Sequence, residues 1–81
     1  MRIEFSLQAE KSFSAIDKPI RERMLKKLLE IEKDPARFIQ DLKGLPFDKI
    51  RIGDYRLFVK FEPQRSLLFI ADIKHRSVAY K

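Results

Sequence analysis

Cysteine is absent from the 81 residues, so neither a disulfide framework nor a thiolate site is available. That absence fits a reducing compartment. A single histidine leaves little from which to build a metal site. No apolar run approaches the roughly 18 residues that span a bilayer, and the opening MRIEFSLQAE lacks the basic stretch and apolar core of a secretory leader. The expectation is a cytoplasmic protein that uses no metal, no cofactor and no membrane.

A chain of this length makes one domain, residues 1–81, and buries only about 60% of its unfolded surface. Its core is small, and a permanent partner would help to stabilise it. Lys and Arg total 18 against 12 Asp and Glu, giving a net charge of +6 and a pI near 9.8. This excess favours an anionic partner, either nucleic acid or an acidic protein. The 44% hydrophobic content argues against disorder.

Ile3, Phe5 and Leu7 alternate with polar residues, which predicts a short half-buried strand over Arg2 to Leu7. Ser6 is placed to cap a helix whose apolar stripe is Leu7, Ala9, Phe13 and Ile16. Asp17-Lys18-Pro19 stops it and starts a second helix, in which Ile20, Met24, Leu28 and Ile31 share one face with Leu25 and Leu29 flanking. The helix-face charges, including Glu22 and Lys26 as an i,i+4 pair, read as solvated. Asp34-Pro35 ends the second helix, and residues 36–46 read as a connector.

From Phe47 the hydrophobic period changes to two. A strand Phe47 to Ile52 turns at Gly53-Asp54 into Tyr55 to Glu62, and Pro63-Gln64-Arg65-Ser66 leads into a last strand, Leu67 to Lys74. That strand is apolar on both faces, which places it inside a sheet. The predicted fold is α+β: an N-terminal strand, then an antiparallel helical hairpin packed on one face of a mainly antiparallel sheet, with a C-terminal β-meander.

The two-residue loop sets Ile52 opposite Tyr55 and Arg51 opposite Arg56. Like charges directly opposite cost on the order of 0.2–1 kcal/mol, and the buried face is already supplied by Ile50, Ile52, Tyr55 and Leu57. Lys49, Arg51, Arg56, Phe58 and Lys60 therefore share a face that suits an anion. Strand direction brings Lys74, His75, Arg76 and Tyr80 to the end of the sheet that carries Arg56. Arginine presents a planar fork to phosphate. Tyr80 is suited to stacking on a base or to orienting or protonating an oxygen, and equally to anchoring the C-terminus in the core. His75 reads more readily as a structural hydrogen-bonder than as a base, and Lys49 as a base only if neighbouring cations lower its pKa.

The LKGLP connector at Leu42 to Pro46, the G-D-Y-R-L segment at Gly53 to Leu57 and the H-R-x-x-x-Y ending at His75, Arg76 and Tyr80 stand in order along the chain. Together they resemble the RelE/ParE superfamily of toxin–antitoxin toxins over nearly the whole length. The RelE branch cleaves messenger RNA in the ribosomal A site, without metal, by attack of a ribose 2′-hydroxyl on the adjacent phosphate. The resemblance implies Lys49 and Arg51 near the 2′-hydroxyl and phosphate, Arg56 and Arg76 on the transition-state charge, and Tyr80 orienting or stacking the substrate. Lys60, Phe58, Lys74 and His75 complete the expected RNA-contacting set. It also implies a cognate antitoxin that wraps the toxin and neutralises its basic surface, with operator DNA bound only through that complex. The alternatives are a ParE-like inhibitor of DNA gyrase without chemistry, or an inactive relative that binds antitoxin or nucleic acid.

Overall fold

The computed structural model describes residues 1–79. Its elements are β1 (Arg2–Phe5), α1 (Leu7–Ser14), α2 (Lys18–Lys33), a short α3 (Pro35–Phe38), β2 (Ile39–Gln40), β3 (Asp48–Ile52), β4 (Tyr55–Glu62), β5 (Leu67–His75) and a short α4 (Arg76–Ala79). The strands form one mixed sheet in the order β1-β5-β4-β3-β2. β1 runs parallel to β5, and the other neighbours are antiparallel. The fold is α+β, with β5 inside the sheet as its two-sided apolar pattern requires.

One face of the sheet carries the core. Met24, Leu28 and Ile31 of α2 and Ala9 and Ile16 in and just after α1 are buried with Ile50, Leu57, Val59, Leu68, Ile70 and Ile73. The step of four, four and three along α2 gathers those side chains on a single stripe. Leu7 does not join them. It is 78% exposed at the first turn of α1, where Ala9 takes the buried position instead.

The β3–β4 turn is two residues long. Gly53, its first central residue, has φ +56°, the pattern of a type II′ hairpin that favours glycine. Arg51↔Arg56 and Ile52↔Tyr55 are paired as the turn dictates. The stretch 36–46, read as a connector with apolar anchors and room for a helical turn, holds most of α3 and also the edge strand β2, whose Ile39 and Gln40 pair with Ile50 and Lys49. On α2 the ion pair is Lys27–Glu30 at 3.2 Å; Glu22 and Lys26 form none among the described residues. Arg21 is not merely solvated, since its guanidinium donates to the carbonyls of Ser14 and Ile16 at the end of α1.

β5 contains a bulge. Phe58 is opposite Asp72 while Val59 is opposite Ile70, so Ala71 is the extra residue. Ser6 holds this point: its Oγ donates to the Ala71 carbonyl at 2.6 Å and accepts from the Ala9 N–H at 3.0 Å. One hydroxyl thus caps α1 and satisfies the bulge. Ser6→Ala is expected to lower stability by about 1–2 kcal/mol, a fall in Tm of roughly 4–8 °C for each kcal/mol in a domain of this size. Thermal denaturation with a parallel urea titration measures it.

Candidate nucleic-acid interface

The second sheet face is where the expected site residues converge. Alternation along β3 and β4 turns Lys49, Arg51, Arg56, Phe58 and Lys60 away from the helices, since Ile50, Leu57 and Val59 point into the core. The bulge at Ala71 then brings β5 into phase. Arg56 faces Arg51 on one side and Lys74 on the other, making a row of cations across three adjacent strands. The next rung is Lys49, Phe58 and Asp72, and Lys60 lies opposite Phe69.

Arg76 is tied to the same end of the sheet. Its backbone N–H donates to the Asp54 carbonyl at 2.7 Å, and its guanidinium lies 4.0 Å from the Asp54 carboxylate. The hairpin turn and the start of α4 are therefore held together by a backbone bond, which delivers Arg76 beside the cation row. The ion pair adds little, since both side chains are more than half exposed.

Exposure divides the cations. Arg51, Lys60, Lys74 and Arg76 are exposed and Lys49 is half-buried, whereas Arg56 retains only 6% of its surface. Arg56 is thus the one enclosed member of the row. His75 departs from the expected RNA-contacting set. Placing Lys74 on the open face turns His75 to the helix side, where it pairs with Tyr55, ring centroids 5.2 Å apart in an edge-to-face contact. Its Nδ1 accepts the Ser77 N–H at 3.2 Å. Tyr80 lies outside the described residues.

Two residues of this face were not anticipated from sequence. Asp72 stands opposite Phe58, with one carboxylate oxygen 4.0 Å from the Lys74 ammonium and the other accepting from the Ile73 N–H at 2.8 Å and from the Ser12 hydroxyl of α1 at 3.5 Å. Phe69, half-buried beside Lys60, adds a second aromatic to Phe58. The signal was the spacing of Ile70 and Ile73: two buried residues three apart in a strand share a face only across a bulge. Further along, Glu4 beside Phe69 and Glu62 beside Leu67 share the open face. Positive charge is therefore concentrated at the hairpin end.

The family model of the ParE toxin of the type II toxin–antitoxin system parDE matches residues 3–80. Among solved structures, the RelE–RelB complex of Pyrococcus horikoshii matches with TM-score 0.78 and 23% identity, covering 95% of this chain and 96% of that one. The RelBE2 toxin–antitoxin complex of Mycobacterium tuberculosis gives 0.82 at 18% identity, with 93% and 90% covered. The isolated RelE toxin of E. coli gives 0.73 at 27% identity, with 96% and 88% covered. No curated protein matches the sequence. The class is thus that of a small toxin from a type II toxin–antitoxin pair. Within it, the chain belongs to the ParE toxin family of the RelE/ParE superfamily. Its described residues include no helix long and apolar enough to cross a membrane.

If the cation row serves a ligand rather than the fold, relieving it raises stability. Arg51→Thr is expected to gain about 0.2–1 kcal/mol. Added salt should stabilise the parent chain more than the variant, because screening removes the same repulsion. Urea unfolding at low and high sodium chloride measures both effects.

Proposed function

We propose that this toxin is a ribosome-dependent messenger RNA endoribonuclease. The observation that carries this reading is the cation row Arg51, Arg56 and Lys74, flanked by Lys49 and Arg76 and opened to solvent at the hairpin end. Resemblance to the isolated RelE toxin over 96% of the chain supports it. In the proposed reaction a ribose 2′-oxygen forms a bond to the adjacent phosphorus, the bond from phosphorus to the 5′-oxygen breaks, and a 2′,3′-cyclic phosphate and a 5′-hydroxyl result. The proton leaves the 2′-hydroxyl for a base, for which Lys49 is the positioned candidate, and an acid returns one to the 5′-oxygen, the role open to Tyr80.

The arginines bear on the charge that grows on the non-bridging oxygens. Arg51 and Arg76 are exposed and present planar forks to a phosphate, while the enclosed Arg56 reinforces them from beneath. Phe58 and Phe69 offer apolar surface against which flanking bases stack. Lys60 and Lys74 hold neighbouring phosphates, and the antitoxin silences the site by covering this face.

The family description, a ParE toxin, favours a second reading in which the same fold inhibits DNA gyrase without chemistry. Primer extension on transcripts after induction separates the two. Arg76→Ala and Lys49→Ala are expected to lower cleavage by about 10²–10³-fold each, by analogy with a lost transition-state donor, while the far-ultraviolet circular dichroism is unchanged. Intact transcripts together with blocked supercoiling by the parent toxin would favour the gyrase reading instead.

A further inference from the structure

The sheet ends on one side at β1, whose outer edge has no strand partner among the described residues. Its inner edge is taken by β5: the Arg2 N–H donates to the Ser66 carbonyl at 2.8 Å and the Ser6 N–H to the Ile70 carbonyl at 2.9 Å. Successive residues of a strand turn their backbone groups to alternate sides, so the N–H and C=O of Ile3 and Phe5 are directed to the open edge. The helix side of that edge is apolar. Ile3 and Phe5 line a depression of about 340 Å³ with Leu25, Leu28 and Leu29 of α2, and Leu25, Leu29 and Met1 are exposed around it. The opposite edge strand, β2, is only 2 residues long and offers no comparable template.

We propose that β1 is the interface of a homodimer, in which it pairs antiparallel with β1 of a second copy and joins the two 5-stranded sheets edge to edge. A two-fold axis makes the same patch serve both copies, and charge then decides among the registers it allows. Centring the pair on Arg2 or on Glu4 sets like charges directly opposite, which is unfavourable. Centring it on Phe5 runs the second strand past the end of β1 onto the start of α1. Centring it on Ile3 sets Arg2 opposite the second copy's Glu4 and Glu4 opposite its Arg2, while the two Ile3 residues exchange both of their outward backbone bonds. Charged edge residues ordinarily discourage pairing; here their order discourages every two-fold register but one. An alternating Arg-Glu strand is answered by its own sequence reversed rather than by a chain of one charge, which favours a second copy over an acidic peptide or a nucleic acid. Antiparallel joining keeps like faces together, so Leu25 and Leu29 of both copies lie on one side of the joint and cover the depression. Neither cation row is covered, and the proposal therefore stands with either activity. Four residues of strand and two leucines from each copy fall short of the roughly 800 Å² per partner of a standard interface, so a weak dimer is expected, with a dissociation constant on the order of 10–100 µM.

The test is sedimentation velocity of the full chain at concentrations spanning that constant, with amide chemical shifts of 15N-labelled protein followed over the same range. A monomer–dimer equilibrium is expected, with concentration-dependent shifts at Ile3, Glu4, Phe5, Leu25 and Leu29. Arg2→Glu and Glu4→Arg each set like charges opposite at both cross-pairs, and each is expected to weaken dimerisation roughly five- to thirtyfold. An equimolar mixture of the two variants should restore it, because each strand then meets its opposite in charge. Mixing changes neither variant's fold, so this readout separates pairing from stability. A chain that stays monomeric up to roughly 1 mM would overturn the proposal. So would a dimer that both charge variants leave intact, a mixture no tighter than its components, or shifts centred on Ile39 and Gln40 at the other edge.

Discussion

The extra residue at Ala71 sets which side chains of β5 share a face with which side chains of β4. A strand without a bulge, paired from the Glu62–Leu67 end, would carry Asp72 opposite Leu57 in the core and Ile73 opposite Arg56 on the open face. The bulge reverses that parity beyond Ile70. Ile70 and Ile73 are both buried, Asp72 stands opposite Phe58, and Lys74 completes the row with Arg56 and Arg51. Burial of one isoleucine and assembly of the cation row are consequences of the same backbone irregularity. Ser6 fixes it from the end of β1, so the first turn of α1, the bulge and the open face form one mechanical unit.

The sheet then separates two tasks. Its helix side holds nearly all of the buried apolar residues and provides the stability. The opposite side gathers charge of one sign at the hairpin end, at a local electrostatic cost that folding alone does not require. At the other end Glu4 and Glu62 are ion-paired with Arg2 and Arg65, so no comparable excess of charge gathers there. On the proposed reading, such a face has two competing occupants, an anionic target and a neutralising protein. Burial across this basic surface is uneven, with Arg56 enclosed and Arg51 exposed and available for contact.

Much of this arrangement was legible in the chain. The Gly53-Asp54 pair sets the register of β3 and β4 because a two-residue turn leaves no slack, and the apolar stripe of α2 follows from residue spacing alone. What escaped depends on contacts distant in sequence. The edge strand β2 exists because Ile39 and Gln40 find β3, not through local propensity. Leu7 lies at a helix start that faces solvent, and Lys27 selects Glu30 where Glu22 and Lys26 had the better spacing. The position of Asp72 opposite Phe58 and the helix-side position of His75 follow from the bulge. Hydrophobic period carries these only when the extra residue is recognised.

The central claim is that the open face, and not the helix side, binds an RNA backbone through the exposed cations at the hairpin end. The most direct measurement is the affinity of the intact toxin for a short single-stranded RNA as a function of salt. If about three to five phosphates are neutralised there, the slope of log affinity against log salt is about −2 to −3.5, and Arg51→Thr or Arg76→Ala each makes it shallower by roughly 0.7. A slope near zero, or one unchanged by both substitutions, would contradict it.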